Sequence, residues 1–471
     1  MAARRIPNER LRELLGEAGW SGERLARAVN TLGAEAGLPL QYRRASVGQW
    51  LAGMRPAPAV AALVAEAFSR ALDRPVGVAE TGLEPRGTQP PDGLAGSWWE
   101  TDAAARLTEL SDGGARRRPA SAGGVYSLAA LHVPGWAAAE QGFSGRAPRP
   151  SGADRARVDR EQVAAANAML QVFSDTDAAF GGGHSRTALV GYLRTAIAPA
   201  LRVEASPALR RELLTVASRL AYLCGFMCFD DELHGAAEHY YLAGLRLAAE
   251  AGDSTGYAVT LRALSVQAGA LGHSMPALHL AEAAVSAVST ANPGPVTGTA
   301  ADGSARTRAF LFGQLAVAQA ATGDRHAAVT HLGTAQAHLE RADGGSGSVG
   351  AYHSASLAHQ HAAVAASAGE HGRAIAALQS SLRHRPTDER RSRAVTLARL
   401  AELQLAAGHL EAACASWHSF CDEYPRLRSA RIERALDVLR SRTAAHRGNS
   451  TARALHARAT ALRAERRAGG S

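Results

Sequence analysis

The stretch Arg43–Pro56, RRASVGQWLAGMRP, decides how the first eighty residues are read. Val47 and Trp50 stand three apart, so a helix through them carries both on one face, where they can pack inward. Gln49 falls on the other side. Ser46 can accept a backbone N–H at the helix N-terminus. Gly53 ends the helix and Pro56 prevents its continuation. Arg43 and Arg44 sit at the entry, and Arg55 follows the exit. The expected element is a short helix with an apolar inner face, a polar outer face and a basic N-terminus.

Working outward, residues 7–16 form a first helix with Leu11, Leu14 and Leu15 as its buried stripe. The Ala18-Gly19-Trp20 turn stops it, and Ser21 caps SGERLARAVN, which places Leu25, Ala26 and Val29 inward. A small side chain such as Ala26 permits a tight helix crossing. Together, Leu25-Ala26, Val47, Trp50, Gly53 and Pro56 resemble the Cro/phage-repressor (Xre-like) helix-turn-helix. The resemblance implies a domain that lays its second helix in the major groove of double-stranded DNA. Its expected DNA-binding residues are Arg43, Arg44, Ser46, Gln49 and Arg55, and its expected core is Leu25, Ala26, Val47 and Trp50. The connection TLGAEAGLPLQY is longer than the usual turn, and AVAALVAEAFSRAL after Pro58 makes a closing helix. This puts a domain at 1–84 whose eleven Arg against nine Asp and Glu leave +2, so non-specific phosphate attraction is modest.

Over the whole chain, 471 residues with 46% apolar content suffice for more than one domain. All 52 basic residues are arginine, and the net charge of +9 suits a nucleic-acid partner. With nine Phe and nine Tyr, the core has to be built from Ala and Leu at close spacing, as in stacked helical hairpins. Four cysteines, Cys224, Cys228, Cys414 and Cys421, read as buried thiols and not as a disulfide framework or a zinc site. No signal peptide or membrane-spanning run is apparent, so the expected setting is cytoplasmic, with no membrane partner. Arg116–Arg118 followed by an apolar run mimics a twin-arginine signal but is internal and short.

Residues 85–150 read as a Pro/Gly/Arg-rich linker, from PRGTQPPDG to GFSGRAPRPSG, carrying short helical segments around Trp98-Trp99 and VYSLAALHVPGW. From 151 to 471 the pattern is helical. A long helix breaks at Phe180-Gly181-Gly182-Gly183; without a following Lys-Ser/Thr this is expected to be a close helix corner and not a phosphate loop. An internal repeat follows. GHSMPA, GDRHAA, GEHGRA and GHLEAA each join Gly272, Gly323, Gly369 or Gly408 to Ala277, Ala328, Ala374 or Ala413 five positions on. DELHGA, ending at Ala236, is a degenerate copy with Asp231 in place of Gly. Further side chains follow each Ala at four and seven positions, so successive hairpins can nest. The pattern resembles the tetratricopeptide repeat, and two amphipathic helices after Pro425 are suited to capping the array. The expected fold is all-α: a helix-turn-helix domain followed by a tetratricopeptide-like α-solenoid.

His353, His359, His361 and His371 are scattered along amphipathic helices, so no metal or other cofactor is expected, and no catalytic constellation argues for an enzyme. The joint arrangement is similar to actinobacterial (Streptomyces-type) regulators that couple an Xre-like helix-turn-helix to tetratricopeptide repeats. That resemblance implies a repressor-type regulator of development or secondary metabolism. The expected assembly is a homodimer contacting through 151–471, with the DNA-binding domains tethered by 85–150. Two alternatives stay open: a regulator whose repeat groove senses a peptide or protein ligand, and an adaptor that does not bind DNA.

Overall fold

The computed structural model describes residues 6–35, 38–84, 99, 102–115, 125–143, 158–290, 299–342 and 352–468. Among them every regular element is helical, and the architecture is a small four-helix domain followed by a solenoid of helical hairpins. The small domain comprises Glu9–Glu17 (α1), Gly22–Glu35 (α2), Arg44–Leu51 (α3) and Pro58–Leu72 (α4). Asn8 caps α1 by accepting the Leu11 N–H at 3.1 Å. Leu11, Leu14, Leu25, Ala26, Val29, Val47, Trp50 and Phe68 share one buried core. α2 runs one turn further than its sequence suggests, so the long connection shrinks to 36–43. Its end is clamped by Asn30, whose side chain donates to the Tyr42 carbonyl and accepts the Tyr42 N–H, both at 2.8 Å.

The segments after this domain do not behave as a tether. Ala103–Ala115 (α5), a 3-10 turn at Leu128–Leu131 and Trp136–Phe143 (α6) place Leu107, Tyr126, Trp136 and Ala139 in the same core as the first repeats. Tyr257 explains part of the docking: its ring lies edge-on to Trp99 and Trp136, and its hydroxyl donates to the Pro134 carbonyl at 2.6 Å. The short helical segments expected within 85–150 thus dock on the repeats and form a first layer of the repeat body. The Pro/Gly/Arg-rich ends, 85–93 and 144–152, and Arg116–Arg118 lie outside the described residues.

Arg160–Phe180 (α7) and Gly182–Tyr192 (α8) come next, and α8 passes through a π-helical turn at Leu193–Ile197 into Ala198–Ala200 (α9). Five hairpins follow. They are Pro207–Asp230 with His234–Ala251 (α10, α11), Ser254–Ala270 with Ser274–Thr290 (α12, α13), and Thr299–Thr322 with Arg325–Arg341 (α14, α15). Ser354–Ser367 with His371–His384 (α16, α17) and Arg390–Ala406 with Leu410–Glu423 (α18, α19) complete the set. Ala430–Ala444 (α20) and Ser450–Ala468 (α21) close the end, where Arg458 of α21 pairs with Asp422 of α19 at 2.6 Å.

The turns inside four hairpins hold Gly272, Gly323, Gly369 and Gly408 at φ of 73–92°, a left-handed backbone that favours glycine. Five positions on, Ala277, Ala328, Ala374 and Ala413 are buried and let the paired helices approach closely. The first hairpin corrects its sequence reading by one residue. Glu232, not Asp231, takes the left-handed position, at φ 58°, and Ala237 is the fully buried alanine while Ala236 is only half-buried. Of the loops expected at 291–305 and 341–350, 291–298 and 343–350 lie outside the described residues, while 299–305 is the first part of α14 and not loop.

The array bends round until its far end touches its beginning. The Arg428 N–H donates to the Phe180 carbonyl at 2.7 Å, and the Gly183 N–H donates to the Arg428 carbonyl at 3.0 Å. Arg391 of α18 pairs with Asp177 of α7 at 3.1 Å. This seam explains the glycine triplet. Gly181 sits at φ 87°, and a Cβ there would lie 2.5 Å from the Arg428 carbonyl oxygen; one at Gly182 would lie 2.8 Å from the Met227 backbone. Pro207–Asp230 is long and apolar enough to cross a membrane, yet 72% of its most apolar 18 residues are buried inside the protein, so it reads as a core helix.

Candidate nucleic-acid interface

α3 begins at Arg44, with Arg43 in extended backbone just before it. Ser46 reaches back and accepts the Arg43 N–H at 3.4 Å, one of the donors a helix start leaves unpaired. Val47 and Trp50 point inward, 0% and 3% exposed, and the Trp50 ring meets Tyr42 edge-on at 5.1 Å. α2 crosses close by: a Cβ on Gly22 would stand 3.3 Å from Val47 Cγ1. At the exit Gly53 has φ 91°, and any side chain there would strike the Ile6 carbonyl. The inner face is thus fixed on three sides, which holds the outer face rigidly.

That outer face carries Arg44, Ala45, Gly48 and Gln49, all exposed with the whole chain folded around them. Ala45 and Gly48 are small, and nothing lies within 4 Å of where a Gly48 Cβ would be. The α3 backbone can therefore approach a flat or grooved partner closely, with Arg44 and Gln49 flanking the low ground. Arg43 is exposed at the entry and Ser46 is half-buried. Arg55 is exposed as well, but its guanidinium donates to the Glu84 carbonyl, which ties it to the end of the domain.

Charge placement sharpens the picture. Glu9 pairs with Arg12, Glu35 and Glu66 with Arg70, and Glu17 and Glu80 with Arg74. Five of the domain's carboxylates are thereby matched by three arginines. Among the described residues Arg43 and Arg44 make no ion pair, and neither do Arg24 and Arg27 on the exposed side of α2. Those last two went unnoticed in the sequence, although they stand beside the inward Leu25 and Ala26 and so had to face out. The net charge of +2 understates the positive potential around α2 and α3.

The domain is seated on the repeat body by its other side. Glu66 of α4, 3% exposed, accepts the Leu128 N–H at 3.0 Å, while Glu238 of α11, fully buried, accepts the adjacent Ser127 N–H at 2.9 Å. Between these anchors Tyr126 is buried, its ring stacked on His273 at 5.8 Å. Burial pushes the Glu66 carboxyl up to about 7 even though Arg70 opposes the shift. Burial also raises Glu238 well above the usual carboxylate range, and the nearby Glu66 adds to it.

The remaining candidate residues do not converge. His353 contacts Glu389 at 3.0 Å, His359 is enclosed, and His371 is exposed. Among the described residues no three His, Cys, Asp or Glu side chains could hold a metal ion. All four cysteines are free and buried, and burial pushes the Cys421 thiol up to about 11. A family model described as the SP15 N-terminal domain matches residues 11–84, the span of the four-helix domain. No curated protein matches the chain.

Proposed function

We propose that the chain is a transcriptional regulator that binds double-stranded DNA through α3, in the manner of the Xre-like regulators it resembles. The carrying observation is the open α3 face, where unpaired Arg43 and Arg44 stand beside two small residues while Val47 and Trp50 lock the other face. In this reading Arg44 and Gln49 contact base edges, since Arg pairs bidentately with guanine and Gln with adenine. Arg43 and Ser46 hold phosphates, and Arg24 and Arg27 add to the backbone contacts. The repeats receive a signal and form a homodimer, which offsets the weak binding of one domain by raising effective concentration, worth roughly 10²–10⁴ in affinity. The setting is cytoplasmic, and the action is repressor-type control of development or secondary metabolism.

Binding of the full chain to duplex DNA should fall steeply with salt, and Arg44→Ala should cost about 1–3 kcal/mol at one base pair. Salt-independent association, or an Arg44→Ala protein weakened equally on every sequence, would remove the base-reading role.

A further inference from the structure

Closure of the array gathers side chains from its first helices at a central hub. Arg262 of α12 lies over the Phe310 ring of α14 at 3.6 Å. Tyr222 of α10 feels the charge of both Arg262 and Arg391. Arg391 lies over Phe226 at 4.5 Å, and Arg431 of α20 is within electrostatic reach of His359 of α16. Tyr222, Arg262, Phe310, His359 and Arg431 are enclosed by the ring, yet each keeps part of its surface accessible. The hub is therefore partly open and not solid core.

Its charges are matched with one exception. Arg391 pairs with Asp177 at 3.1 Å and reaches Asp230 at 4.0 Å; Arg431 also reaches Asp230 at 4.0 Å; Arg385 pairs with Glu389 at 2.6 Å. Among the described residues Arg262 has no ion pair and no hydrogen bond, and its Nε is buried without an acceptor. The groups that sense its charge are the phenols of Tyr222, Tyr241 and Tyr352. A half-buried cation without a counter-charge is costly, and an apolar side chain would serve folding better at this position. Stacking on Phe310 offsets only part of that cost.

We propose that the hub is a binding site for a small carboxylic acid with an aromatic or planar apolar body, whose carboxylate is gripped by Arg262 and whose body lies against Tyr222 and Phe310. A guanidinium fork with its terminal nitrogens uncommitted is the donor set a carboxylate needs. The seam at Phe180–Gly183 and Arg428 closes the ring, so a compact ligand fits better than an extended chain threading a groove. This inference rests on the repeat ring alone and stands whether or not α3 binds DNA.

The test titrates phenylacetate and 3-phenylpropionate, each against its neutral amide, into the full chain by calorimetry and thermal shift. Inorganic phosphate and a peptide ending in a free phenylalanine carboxylate serve as further arms. Saturable one-to-one binding of an acid is expected, weaker by at least about tenfold for its amide and for Arg262→Gln. The acid-against-amide comparison uses the unaltered chain, so it decides even if Arg262→Gln fails to fold. Acids and amides binding alike, neither acid binding at millimolar concentration, or a folded Arg262→Gln binding as well as the parent would each overturn the proposal. Phosphate matching the acids would remove the apolar body from it, and binding confined to the peptide would overturn the small-ligand class.

Discussion

Glu66→Gln isolates the seat between the four-helix domain and the repeats. The Glu66 carboxylate accepts the Leu128 N–H at 3.0 Å and the Arg70 Nε–H at 2.9 Å, and Arg70 keeps Glu35 at 3.0 Å when Glu66 is neutralised. Burial raises Glu66 from 4.5 to about 7, which corresponds to about 3 kcal/mol between its two protonation states. A carboxyl raised in the folded state contributes fully below its unfolded value and loses that contribution as pH rises through the folded one. The parent should therefore weaken as pH rises from 4.5 to about 7, while Glu66→Gln, which keeps an acceptor for Leu128, lacks this part of the loss. Urea unfolding followed by tryptophan fluorescence reads it as the difference between the two pH profiles. That difference should swing by up to about 3 kcal/mol in favour of the variant at the alkaline end. Glu238 faces the same segment and Glu66 adds to its upward shift, so Glu66→Gln with Glu238→Gln should be non-additive. A constant offset at every pH would refute the reasoning, because it would mean that Arg70 keeps Glu66 ionised throughout.

Trp50→Ala removes a 3% exposed ring from the small core and should cost about 3–5 kcal/mol, seen as loss of the domain's cooperative melting; normal melting with lost DNA binding would move Trp50 to the interface. Gly181→Ala forces a side chain into the left-handed backbone against the Arg428 carbonyl, so hydrogen exchange at Gly183 and Arg428 amides should accelerate. Unchanged exchange would mean that the seam does not depend on the glycine. Light scattering on the full chain at micromolar concentration should give a dimeric mass, and a monomer that still protects a complete paired site would exclude the dimer.

Much of this was legible in the residues because local chemistry demanded it. Gly272, Gly323, Gly369 and Gly408 mark left-handed turns, and the alanines five positions on mark close helix contacts. Glu232 escaped because a left-handed non-glycine residue leaves no signature, and the first repeat was accordingly read one residue early. The docking of Tyr126 and Trp136 escaped for another reason: an apolar segment announces burial but not its partner. Arg262 was invisible as a candidate because its setting arises only when neighbouring hairpins bring Phe310 and the Tyr222, Tyr241 and Tyr352 phenols to it. On the open α3 face, Arg43, Arg44 and Gln49 followed from helical spacing. The pairing that leaves those arginines free depends on Arg70 and Arg74 reaching acids far away in sequence.

The central claim is that α3 reads DNA, and selection of bound duplexes from a random pool by the full chain tests it most directly. The account predicts an enriched motif with paired half-sites about 10 base pairs apart, or a multiple of that, in which Arg44→Ala loses preference at one position of each half. Recovery of no motif, with binding absent even at low salt, would contradict it.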